Sequence, residues 1–141
     1  MSAPYPHIAC CLERSAASER ALAEARRLRA LGPGPLSIVH VLEGGIATLE
    51  PQTVAYTREY PTDLARWLQE TAREEWEHPV LLEHEHPARA VCEWAREARP
   101  DAIVAAAHRG ALERLMVGSF AGYLAYHAPC PVILVPVPRR G

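Results

Sequence analysis

The chain has 141 residues, the length of one domain. Its 49% hydrophobic and 23% charged residues sit near the globular average, which excludes disorder, collagen and coiled coil as whole-chain readings. A formal net charge of −2 gives no electrostatic case for nucleic acid or an anionic membrane surface as a partner, and no window reaches the roughly 18 uncharged apolar residues of a membrane span.

Short apolar runs alternate with helical periodicity along the chain. Ile8-Ala9-Cys10-Cys11-Leu12 reads as a buried strand. Ser15 is placed to cap the helix that follows, in which Ala21, Leu22, Ala25, Leu28 and Leu31 recur at helical spacing and Gly32 marks the stop. Leu36 to Leu42 reads as the second strand. Glu43 to Pro61 contains Gly44-Gly45 and Pro51 and is long for a connection. Leu64, Trp67, Leu68, Thr71, Ala72 and Trp76 then define an amphipathic helix capped by Thr62 or Asp63 and ended by Pro79. Val80-Leu81-Leu82 predicts a short third strand, and Pro87 suits the first turn of a third helix. That helix places Ala90, Val91, Trp94, Ala95 and Ala98 on one face. Ala102 to Ala107 reads as the fourth strand, a helix follows Gly118-Ser119 and stops before Pro129, and Val132 to Val135 is the fifth strand.

The order βαβαβαβαβ, with strands that do not alternate apolar and polar, predicts an α/β domain over residues 1–141. Its sheet is open and parallel, with helices on both faces. Ligands of such sheets bind beyond the carboxyl ends of the strands, where the strand order reverses. Glu13 to Ser15, Val41 to Glu43, Glu83 to His86 and His108 to Ser119 fall there.

All fifteen basic residues are arginine, and lysine and asparagine are absent. A GC-rich coding bias explains this better than thermophily, because hyperthermophiles tend to be lysine-rich. Met1 to Cys11 has no basic start before its apolar run, so a secretory signal is not expected. Cys10, Cys11, Cys92 and Cys130 form no CxxC and are expected as reduced thiols in a cytoplasm.

Several ordered segments resemble the universal stress protein family, over nearly the whole chain. Most specific are Pro100-Asp101-Ala102-Ile103-Val104, Leu112-Glu113-Arg114-Leu115-Met116-Val117-Gly118-Ser119 and His127-Ala128-Pro129-Cys130-Pro131-Val132. Ser18-Glu19-Arg20-Ala21-Leu22, Ile38-Val39-His40-Val41 and His86-Pro87-Ala88-Arg89-Ala90-Val91 add to them. The resemblance implies a Rossmann-like, adenine-nucleotide alpha-hydrolase-like sheet in order 3-2-1-4-5. It also implies a homodimer and a cytoplasmic role in stress response.

Family members that bind ATP carry a G-x2-G-x9-G-S/T loop after the fourth strand and an Asp at the end of the first. Here Gly118-Ser119 matches the end of that loop, but Ala106 stands at its first glycine and His108-Arg109 at its second. Gly110 is too close to Gly118 to serve as the second glycine, Glu13 replaces the Asp, and Val41 matches a position that contacts adenine. Any nucleotide site is therefore expected to draw on Glu13, Ser15 and Val41, on His108, Arg109 and Gly110, and on Gly118 and Ser119. A Cβ at Ala106 and the bulk of Arg109 work against the close backbone approach that phosphates need. Ser119 either meets a phosphate or caps its helix, and Arg109 either pairs with a phosphate or is a solvated loop arginine.

No nucleophile triad is legible, and Gly118-Ser119 is not a nucleophile elbow. His84-x-His86, flanked by Glu83 and Glu85, has metal-like spacing on a strand but lacks a four-ligand set, so no metal is expected. The leading expectation is a homodimeric, non-enzymatic module paired through its C-terminal strand. Its nucleotide binding is weakened or lost, and no cofactor is required. An ATP-binding or adenine-nucleotide sensor is the alternative, and a slow ATPase or metal-assisted hydrolase is the third reading.

Overall fold

The computed structural model describes residues 4–12, 16–32, 34–42, 62–73, 80–83, 86–107 and 119–136. Its elements are β1 Ile8–Cys11, α1 Ala16–Arg29, β2 Leu36–Leu42, α2 Thr62–Thr71 and β3 Val80–Glu83. They continue with α3 Pro87–Ala98, β4 Ala102–Ala106, α4 Ser119–His127 and β5 Val132–Val135. The five strands form one sheet in the order β3-β2-β1-β4-β5, with every neighbouring pair parallel. The expected fold class is the one observed.

Strand alternation sorts the core into two layers. On one face, Ile8, Cys10, Leu12, Ile38 and Val104 pack against Ala21, Leu22 and Ala25 of α1 and Leu68 of α2. On the other, Ala9, Cys11, Val39, Ile103 and Ala105 pack against Val91, Cys92 and Ala95 of α3 and Leu124 of α4. Central strands covered on both faces need no polar alternation, which is why β1 and β4 read as continuous apolar runs.

Two helix ends differ from expectation. α1 stops at Arg29, and the chain turns through Leu31 N–H to the Leu28 carbonyl (3.1 Å) and Gly32 N–H to the Arg29 carbonyl (3.2 Å). Leu31 therefore lies beyond the helix and is 64% exposed instead of continuing its apolar face. α2 ends at Thr71, whose carbonyl accepts from Arg26 Nη2 of α1 at 3.3 Å, an external partner for one orphan group of a helix end. The expected Trp76 position and Pro79 stop lie outside the described residues.

The amino-terminal end of the sheet is held by a polar clamp. His7 N–H donates to Asp101 Oδ2 (2.7 Å), and Asp101 N–H donates to the His7 carbonyl (2.7 Å). The His7 ring meets Ser37 Oγ through Nε2 at 2.8 Å. The segments leading into β1, β2 and β4 are thus tied together at the end opposite the strand termini that matter for ligands.

Candidate functional site

In a parallel sheet every connecting helix runs back against the strands, so α3 and α4 both begin at the carboxyl end. Their first turns face each other across a cleft of about 390 Å3. Pro87, Ala88 and Arg89 line it from α3, with His86 just before that helix, and Ser119, Phe120 and Tyr123 line it from α4. Pro87 starts α3 with its preset φ, and His86 precedes it in extended conformation without a side-chain cap.

Val41 packs on the same face of the sheet as Phe120, in the layer under α3 and α4. It is half-buried near the end of β2. The sheet therefore brings an apolar wall to the side where the cleft opens. Ser119 is the first residue of α4 and is exposed. Ala106 ends β4, and the Ala107 N–H that follows donates to the Val135 carbonyl at 2.9 Å. The Cβ that distinguishes Ala106 from glycine thus sits where the chain leaves the sheet. Of the expected site residues, Val41 and Ser119 are described. Glu13, Ser15, His108, Arg109, Gly110 and Gly118 lie outside the described residues, as do His84 and Glu85.

The exit of β1 is pinned from the opposite layer. His40 is 7% exposed, and its Nδ1 lies 2.6 Å from the Leu12 carbonyl oxygen. A carbonyl only accepts, so Nδ1 carries the proton. Leu12 N–H donates to the Val39 carbonyl at 2.8 Å, and the His40 ring stands edge-on to Trp67 of α2 with centroids 6.3 Å apart. The chain that leads into Glu13 is therefore fixed up to Leu12.

Nucleophiles are poorly served. No base is hydrogen-bonded to Ser119 among the described residues. The Ser37–His7 pair lies at the amino-terminal end of the sheet, and Asp101 binds the His7 main chain instead of its ring, so it lacks the triad arrangement. Burial pushes the Cys92 thiol above its ordinary value, against a lowering by Arg96, with Glu93 adding to the rise. Burial raises Cys130 as well, followed by Asp101 and Cys92. Such thiols stay protonated and unreactive near neutral pH.

Sequence reading missed Arg89, Phe120 and Tyr123 as site residues. Arg89 lies within a quoted family segment and Phe120 and Tyr123 follow Ser119 closely, yet only the packing of α3 on α4 brings them together. His86 was read as part of the ligand-facing strand exits and as one of a metal-like pair.

An open parallel sheet with reversed strand order and a crevice at its carboxyl end defines the class of α/β ligand-binding domains that use a topological switch point. A model of the universal stress protein family matches residues 4–136, and the chain belongs to that family. Among solved structures it is similar to the universal stress protein from Archaeoglobus fulgidus, at 28% identity and a TM-score of 0.57, covering 92% of this chain and 98% of that one. The same source gave a universal stress protein solved in complex with dAMP, similar at 26% identity and a TM-score of 0.56, covering 92% and 97%. A universal stress protein family member from Burkholderia pseudomallei is similar at 25% identity and a TM-score of 0.64, covering 97% and 100%. No curated protein sequence matches the chain.

Proposed function

We propose that the protein is a cytoplasmic, homodimeric, non-catalytic module of universal stress type, whose carboxyl-end crevice binds adenine nucleotides weakly. The observation that carries this reading is the placement of Val41 and the α3–α4 cleft on one face of the sheet, with Ser119 at the rim. The dAMP complex of a similar protein supports an adenine nucleotide as the ligand class. Weak phosphate binding follows from Ala106, whose Cβ replaces the hydrogen of a phosphate-loop glycine at the end of β4. Glu13, Ser15, Val41, His108, Arg109, Gly110, Gly118 and Ser119 remain the proposed contacts, with Val41 against the base and Gly118-Ser119 toward phosphate.

Mass spectrometry of small molecules released by denaturing the purified protein tests this reading. The expected result is no stoichiometric adenine nucleotide. Retained ATP at one per chain would replace the weak binder with the nucleotide-sensor alternative, and ATP turned over to ADP would replace it with the enzyme.

A further inference from the structure

The α3 side of the cleft carries a cation that the proposed nucleotide contacts leave unused. Arg89 lines the cleft opposite Ser119. Its side chain is 58% exposed, and its Nε donates to Glu93 Oε1 at 3.2 Å across one helical turn. Among the described residues its Nη groups make no further hydrogen bond. An exposed i,i+4 pair of this kind is weak. It holds the guanidinium loosely at the rim while leaving the bidentate edge for another acceptor.

Besides Arg89, the cleft is lined by the polar His86 and Ser119 and by four apolar or aromatic residues. Pro87 and Ala88 stand on one side, and Phe120 and Tyr123 on the other. The Tyr123 ring already lies against His127, with centroids 4.3 Å apart, and Phe120 packs into the layer that also holds Val41, so a ligand's planar ring is left to the Val41 side. A volume of about 390 Å3 falls within the range of small-ligand sites and suits one ring system with one short charged arm.

We propose that Arg89 is the anion-recognising, specificity-determining residue of this cleft, selecting planar-ring ligands that carry a single anionic group, of the nucleoside monophosphate class. This rests on the adenine-nucleotide reading above. Arg89 exchanges its Glu93 contact for the ligand's anion, a side-chain grip that needs no close backbone approach. A longer phosphate chain adds little, because Arg89 grips one group.

Calorimetric titration of adenosine and AMP into the full chain, its Arg89→Ala variant and its Arg89→Lys variant tests the proposal. The native chain is expected to bind AMP about fivefold more tightly than adenosine. In Arg89→Ala that preference falls below about twofold with adenosine affinity unchanged, and Arg89→Lys lies between, since lysine lacks the bidentate fork. Arg89 is exposed, so matching thermal melts of the three chains show that folding is not the cause. An AMP preference that survives Arg89→Ala overturns the role of Arg89. A native chain that binds adenosine but shows no AMP preference overturns it too, leaving the nucleotide reading intact. No binding of either compound at millimolar concentration overturns both.

Discussion

His40 couples the candidate site to the core. Its buried Nδ1–H satisfies the Leu12 carbonyl at 2.6 Å, one residue before Glu13. Replacing it by alanine leaves a buried acceptor without that donor, a loss of about 1–3 kcal/mol. Thermal unfolding of His40→Ala is therefore expected to fall well below that of the native chain, with His40→Asn recovering part because its amide can still donate. Arg99 shows the opposite case. It caps α3 in the left-handed region at φ 52° and ψ 54°, its N–H on the Ala95 carbonyl at 2.8 Å, and Pro100 follows. A side chain there is strained and glycine is the usual solution. Arg99→Gly should raise stability by about 0.5–1 kcal/mol, read as a higher melting temperature. Gly34 is constrained by space: a Cβ there would overlap the Pro6 carbonyl oxygen. Gly34→Ala must displace the segment that leads into β1. The Cys92 and Cys130 thiols add a pH dependence. Burial holds both above the ordinary thiol value of 9.0, so their contribution is fully present below about pH 9 and is lost as pH rises beyond it, when the unfolded thiols ionise first. Urea midpoints should fall between pH 8 and pH 10, and less so in Cys92→Ala measured against its own pH 8 value.

At the scale of elements, the proposed homodimer pairs through β5. Ile103 N–H donates to the Pro131 carbonyl and Ala107 N–H to the Val135 carbonyl, at 3.0 and 2.9 Å. Residues 131, 133 and 135 therefore aim their main-chain groups at β4, and residues 132, 134 and 136 aim theirs outward. Pro136 has no N–H to donate, and its side is the open edge. Its outward donors are Val132 and Leu134. All four β5 side chains are half-buried, unlike those of β1, so an apolar strip also remains to be covered. In the proposed homodimer, pairing through this edge is short and draws on side chains as much as on the ladder. Light scattering at micromolar concentration is expected to give twice the chain mass. Leu134→Pro removes an outward donor while sparing the β4 ladder, so it should shift the chain toward monomer. A monomeric native chain would contradict the pairing.

Legibility also varied by element. β2 from Leu36 to Leu42 and α3 from Pro87 run as the residues indicate, because local signals set both: an apolar run in one, a proline start in the other. α1 ended early because its last apparent apolar position, Leu31, follows a turn that the periodicity alone does not reveal. Val41 and Ser119 were found through the family motif. Arg89, Phe120 and Tyr123 were not, since they meet only when two helices about thirty residues apart pack side by side. The His40 tie to Leu12 and the His7 clamp on Asp101 depend likewise on strand order, a long-range property.

For the whole molecule, the claim is that a universal stress protein fold keeps its crevice while losing most of its grip on a phosphate chain. The fold supplies the two layers, the carboxyl-end cleft and the apolar wall at Val41. In the proposed reading, the Cβ of Ala106 stands against the backbone approach that a triphosphate needs, and Arg89 is the proposed side-chain substitute. Calorimetric titration of ATP against AMP tests this most directly. The two are predicted to bind within about tenfold of each other, a difference under ~1.4 kcal/mol. ATP binding more than tenfold tighter than AMP would show that the loop after β4 still cradles the phosphates and would contradict the account.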